Sequence, residues 1–334
     1  MALGRALGLS VEEVFGPATP APCASVQPVA PLGETGSRVA LAPIGDTFVA
    51  LPLTGAAAAK GGFVPATGLA GEVSAGEPRQ RGRRAPGSAA ARSVQPIGLP
   101  RATLVVAGDD PALPLLEFPL GLLHPPVAFT WWPCGSEEAL GLAAGGLVHA
   151  AGAYLRSRTG GGGTGPARDL LRQGADVIGF CSWRVGLVMR PKLAETIRGV
   201  ADLRDAELRM VNWKRGARAR RVLDRELAKQ GIEPGHLSGY ATQASGHLQV
   251  AAAIAAGLAD VGVASEPVAL THDLAFVPLA SERSDLVIPA ATKGSQEVQG
   301  LLKVLSSRWL IDQLSSVPGY DPSNCGELVT SLRS

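Results

Sequence analysis

Aromatic residues are scarce in this chain: 4% of 334 residues, as 5 Trp, 3 Tyr and 7 Phe. A core of any size must therefore be filled by Ala, Val and Leu, which the 46% hydrophobic content supplies. Cysteine is nearly absent too. The 4 Cys (Cys23, Cys134, Cys181 and Cys325) form no C-x-x-C pair, which argues against a zinc site and a disulfide framework. Net charge is only +2, too small for nucleic-acid binding through bulk electrostatics. Long apolar runs are missing: the Ala-rich stretch 250–258 meets Asp260 before it could span a bilayer. Catalytic signatures are missing as well, with no G-x-S-x-G elbow, no H-E-x-x-H and no Cys–His pair at suggestive spacing. The Gly-rich run 158–165 has no GK[ST] after it, so it is no P-loop. No catalytic residue, metal ligand or cofactor is therefore assigned. The opening residues lack the basic-then-apolar pattern of a secretory leader, and a cytoplasmic location with no membrane partner is expected.

What is present has a clear order. Residues 1–16, MALGRALGLSVEEVFG, read as two short helical pieces, with Ser10 before Glu12 and Glu13 as an N-cap signature. Residues 17–100 read as a linker. It holds a small β segment, a hairpin in RVALAPIGDTFVALPL, and a basic disordered stretch within 71–100. From residue 101 strands alternate with helices. The pattern runs ATLVVAG, ALPLLEFPLGLL, VAFTWWP, EEALGLAAGG and LVHAAGAYL, and a second block repeats it from GADVIGFCSWRVGLVMRP to ADVGVAS. HLSGY reads as a short strand in that block, and helices are expected at Ser295–Val304 and Ser307–Leu314. This is an α/β chain with parallel-rich sheets. Lobe one spans about 101–175 and 273–334, and lobe two about 176–272. A chain that leaves one lobe, builds the other and returns leaves an interlobe cleft, where ligands favour binding.

The stretches VAGDDPALPLL, CGSEEALGLAAGG, WRVGLVMRP, VNWKRGARARRVLD, GYATQASGHLQVAAAIAAGLADVGVASEP and LASERSDLVIP resemble a two-lobed, type 2 periplasmic-binding-protein-like ligand domain covering about 100–330. Such domains occur fused to molybdopterin molybdenumtransferases and behind helix-turn-helix domains in cytoplasmic regulators related to molybdate- and tungstate-binding proteins. The segment LGRALGLSVEEVFG resembles the tail of a Cro/repressor-type helix-turn-helix domain. The resemblance implies a ligand-sensing domain of a transcriptional regulator, dimeric and not an enzyme, with a small anion such as molybdate or a small metabolite as its ligand. DNA would be reached only through a helix-turn-helix domain not complete in this chain. The alternative is a stand-alone binding module in molybdenum-cofactor metabolism.

Within that resemblance the candidate ligand-binding residues are Asp109, Ser136, Arg184, Arg218, Arg220, Tyr240 and His247. Helix N-termini carry free N–H groups that favour negative charge, and the candidate ends are Gly108–Pro111, Gly135-Ser136, Gly216-Ala217 and Gly246-His247. Where the family often has Gly-Ser-Gly-Thr-Arg, this chain has Gly216-Ala217-Arg218-Ala219-Arg220, so both hydroxyls are replaced by Ala. Asp109 is placed to meet a ligand amine, and Asp110 to cap the chain behind it. Glu266 is a partner for Arg184 or Arg218. His149 and His272 read as structural. A Ser136–His247–Asp285 relay is the one catalytic arrangement weighed, and no spacing supports it.

Overall fold

The computed structural model describes residues 24–54, 64–73, 92–97, 102–154, 172–204, 207–215, 217–244 and 246–332. The expected helical fragment 1–16, most of the Arg-rich stretch and the Gly-rich run 158–165 lie outside them. The chain divides into two compact units, Met1–Thr103 and Leu104–Ser334.

In the first unit, β1 (Ala24–Pro28), β2 (Arg38–Ile44), β3 (Thr47–Pro52), β4 (Gly68–Val73) and β5 (Arg92–Pro96) close into a barrel in the order β1-β3-β2-β4-β5. The expected hairpin is β2–β3, turning at Gly45, whose φ of +57° suits a residue without a Cβ. The linker reading is otherwise replaced by a folded barrel. Its closure depends on β1 pairing parallel with β3 and antiparallel with β5. Such non-local pairings leave no mark on a local pattern. Val26, Leu32, Val39, Leu41, Ala50, Ala70 and Val94 fill its core.

The second unit opens with β6 (Thr103–Gly108), a fully buried strand. A 3₁₀ turn at Leu113–Leu116 then leads into α1 (Glu117–Gly121). One helix was expected here, but Pro119 has no N–H to continue the ladder and the segment splits. Next come β7 (Ala128–Pro133), α2 (Ser136–Ala144), β8 (Ala150–Ala153) and the 15-residue β9 (Ala175–Met189). Both faces of β9 are covered, which explains its near-continuous apolar sequence. β10 (Met210–Trp213), α3 (Arg218–Lys229), β11 (Gln243–Ala244), α4 (His247–Ala255), β12 (Val261–Ser265) and α5 (Glu266–Thr271) follow. The chain returns along β13 (Ala275–Pro289), also 15 residues, and ends in α6 (Gln296–Leu305), α7 (Arg308–Ser316) and β14 (Leu328–Leu332). The expected strand at HLSGY is instead a 3₁₀ turn at Pro234–His236 and a reversal. There Gly239 takes φ +79°, and a Cβ on it would stand 2.2 Å from the Met210 carbonyl oxygen.

Among the described residues the second unit is one mixed nine-stranded sheet, β11-β10-β12-β9-β13-β8-β6-β7 with β14 beside β9. β6–β8, β10–β12 and β10–β11 are parallel, while β9 and β13 run antiparallel along their full length. The first half of β9 takes β14 on its outer edge and the second half takes β12. Likewise β13 meets β8 only through Asp285–Val287. The sheet therefore curls into two lobes that share β9 and β13 as their two crossing strands. Register shifts at Pro278/Ala280 and Ser284/Asp285 flank the crossing on β13. Bulges of this kind are where strands bend. No described helix is long and apolar enough to cross a membrane.

Candidate functional site

The crossing brings Trp183 of β9 directly opposite Glu282 of β13. Both are buried, at 3% exposure each. The Trp183 ring gathers the scarce aromatics: Tyr154 edge-on at 5.5 Å, Tyr320 at 5.3 Å and the His247 imidazole at 6.4 Å. His247 in turn packs on Trp213 at 4.6 Å. Four buried polar atoms around this cluster have no hydrogen-bond partner: Trp183 Nε1, Tyr154 Oη, Glu282 Oε2 and Ser265 Oγ. Buried polar groups are nearly always satisfied, so four together call for a reason.

Three helices begin here. The Ser136 hydroxyl at the start of α2 accepts the Tyr154 N–H at 3.3 Å. At the start of α3, Arg218 donates from Nε to Glu282 Oε1 at 2.5 Å and from Nη1 to the Tyr154 carbonyl at 2.9 Å. That side chain spans from lobe two to lobe one. At the start of α4, His247 Nδ1 accepts the Ser265 N–H at 3.0 Å, which fixes the proton of the neutral ring on Nε2. Burial holds His247 down to about 3, so it stays neutral. None of α2, α3 and α4 has a side-chain cap, their N-cap residues being Gly135, Ala217 and Gly246. By contrast α6 and α7 are capped by Ser295 and Ser307. The first N–H groups of α2, α3 and α4 thus have no side-chain acceptor of their own.

Carboxylates stand on the same side. Burial raises Asp109 to about 7; the Tyr154 hydroxyl opposes the rise, and Asp110 and Glu282 add to it. That hydroxyl faces Asp109 without a hydrogen bond of ordinary geometry. Burial likewise raises Glu282, with Arg218 opposing. Asp110 is buried and fully engaged, accepting from Ala112 N at 3.0 Å, Tyr320 Oη at 2.9 Å and Cys181 Sγ at 3.3 Å. It holds the strand end in place.

Asp109, Ser136, Arg218 and His247 thus meet around one aromatic cluster. Arg184, Arg220 and Tyr240 do not join them. The Arg184 guanidinium is exposed, forks onto the Glu266 carboxylate and lies over Phe276. Arg220 is buried, donates to the Trp213 carbonyl at 2.8 Å and stacks on Tyr240 at 4.4 Å. The Tyr240 hydroxyl is bound to Asp224. Ser136, His247 and Asp285 form no relay, since His247 Nδ1 is taken by Ser265 and Asp285 pairs with Arg283. Sequence reasoning missed Tyr154, Trp183, Glu282 and Tyr320. The available signal was rarity: two of the 3 Tyr and a Trp sit here in a chain with few aromatics. His149, read as structural, has its Nδ1 on the Val105 N–H at 3.1 Å, and burial lowers it to about 4.

A family model for the PBP superfamily domain matches residues 120–306, more than half of the chain. The uncharacterised protein YvgK of Bacillus subtilis (strain 168) is 28% identical over 146 residues, covering 44% of this chain and 47% of that protein. The chain thus spans about half the length of that relative. An uncharacterised protein of Clostridium pasteurianum, from the 5′ region of its 2Fe-2S ferredoxin gene, is 33% identical over 112 residues, 33% of this chain and 99% of that one. Among solved structures, one from Clostridium perfringens described as a phosphate ABC transporter substrate-binding protein with bound phosphate superposes with a TM-score of 0.50. It is 11% identical and covers 66% of this chain and 98% of its own. That likeness speaks for the two-lobed fold alone.

Proposed function

The chain belongs to the PBP superfamily, and from that premise we propose that its second unit holds a small molecule carrying an anionic group in the cleft between its lobes. One observation carries the reading: the N-termini of α2, α3 and α4, none with a side-chain cap, begin beside Tyr154 and Trp183, with Ser136 and Arg218 bonded to the Tyr154 backbone and His247 packed on the Trp183 ring. Each open end contributes only about 0.3–1 kcal/mol toward an anion, and up to about 2 when partly buried, so convergence matters. Binding closes the lobes about the crossing of β9 and β13, with bending at the register shifts beside Ser281–Ser284. Closure is the signal, and the chain acts as a sensor and not as a catalyst.

The segment 1–16 supports placing this sensor in a dimeric cytoplasmic regulator that reaches DNA through a helix-turn-helix domain. A helix-turn-helix coding sequence in frame before Met1 is expected, and its absence there removes the regulator role. Ligand binding itself is tested by thermal shift of the full chain against small anions and metabolites. Ligand at a hundred times its Kd stabilises by about 2.7 kcal/mol, roughly 5–10 °C for a unit of this size. A rise accompanied by a smaller radius of gyration in solution scattering supports closure. A rise at unchanged radius removes the hinge.

A further inference from the structure

The donor and acceptor inventory of the cleft goes further, resting on the reading of it as a binding site. One of its unpartnered buried atoms is a donor only, Trp183 Nε1, and together with the helix N-termini and Arg218 it suits a carboxylate or other oxyanion, while the Tyr154 hydroxyl faces Asp109. Glu282 Oε2 can only accept when ionised, and it is buried with nothing to accept from. Asp109 lies near enough for the Glu282 charge to oppose its ionisation, and its Tyr154 neighbour carries the backbone carbonyl that Arg218 holds together with Glu282. A fully ionised oxyanion brings no proton to either carboxylate and adds a like charge between them. The run Ala217-Arg218-Ala219 removes the hydroxyls that would wrap a tetrahedral ion. What remains is Arg218, already bound to Glu282, while Arg184 and Arg220 are bound elsewhere. An ammonium group answers this arrangement. It donates to both carboxylates and lies well on the faces of aromatic rings, which Tyr154 and Trp183 provide at 5.5 Å from each other.

We propose that the ligand is a small zwitterion. Its carboxylate is taken by the helix N-termini and Arg218, and its ammonium by Asp109 and Glu282 beside Tyr154 and Trp183. Both halves of the donor and acceptor set are then satisfied by one molecule.

The test is titration calorimetry of the full chain with the twenty amino acids, glutarate as the amine-free counterpart of glutamate, glycine betaine, choline, glucose, phosphate and molybdate. At least one amino acid is expected to bind. Glycine betaine should bind more weakly, because its quaternary nitrogen has no proton for Glu282. Asp109→Asn and Glu282→Gln, each checked for an unchanged cooperative melt, should weaken the amino acid by roughly a hundredfold, as when one partner of a buried charge pair is removed. Unchanged affinity in both variants overturns the assignment of the ammonium. Binding of phosphate, molybdate, glutarate or glucose with no amino acid bound overturns the zwitterion and leaves the cleft reading standing. No heat from any of these probes overturns both.

Discussion

Arg218 and Glu282 make the contact on which the crossing most depends. The carboxylate is buried, with 1% of its side chain exposed, and Arg218 is the cation it touches. Removing one partner of a buried pair costs far more than the pair contributes, because the remaining charge is left without compensation. Arg218→Ala should therefore lose about 3 kcal/mol in urea denaturation, and adding Glu282→Gln should recover much of it. A loss no larger in the single variant than in the double one would mean the pair is not electrostatically coupled. Asp109 makes a second residue-scale prediction. Its carboxyl is at about 7 in the fold against 3.8 in an open chain. Between those values the folded protein holds a proton that the unfolded chain has released, so Asp109 makes stability fall as the pH rises from about 4 to 7. His247 at about 3 and His149 at about 4 act oppositely, taking stability away as the pH falls below 6.5. The difference between Asp109→Asn and the parent isolates the carboxyl. It should favour the variant increasingly from pH 4 to 7 and then level off. A difference that does not change with pH removes the buried-carboxyl account.

At the scale of elements, β9 depends on glycine where β13 presses on it. A Cβ on Gly186 would stand 2.0 Å from the Val277 carbonyl oxygen, and backbone on both sides cannot yield. Gly186→Ala should cost about 2 kcal/mol or more, in the range of overpacked cores. Gly141 in exposed mid-α2 has nothing near its Cβ position, so Gly141→Ala should add about 0.5–1 kcal/mol. Denaturant midpoints of the two variants should move in opposite directions. Elements of this second unit were largely legible in the sequence. Ser295 and Ser307 announce α6 and α7 to within two residues because a cap is a local signal. That Asp109, Ser136, Arg218 and His247 would lie at strand ends near helix starts was readable for the same reason. Trp183 and Glu282 were not, since their meeting depends on the register of two strands far apart in the chain. The barrel escaped on similar grounds: β1 and β5 are short, and only their mutual pairing shows what they are.

Among the described residues, the molecule shows two hydrophobic clusters with no residue in common. One is the small barrel cluster built on Val26, Val39, Leu41, Ala50 and Val94. The other runs from Leu104 to Cys325 through both lobes. A small unit buries a lower share of its surface than a large one and is correspondingly marginal. Separate cores of unequal size favour unfolding in two steps and not one. Calorimetry of the full chain should therefore show two transitions, the barrel melting first. A chain beginning at residue 102 should keep the upper transition at its place. Ligand links these energetics to function, because a molecule bound only to the native second unit stabilises that unit alone. An effective ligand should raise the upper transition and leave the lower where it was. Were both transitions to move together, or only the lower, the ligand would be engaging the barrel, and the sensing site would have to be sought outside the cleft at Trp183.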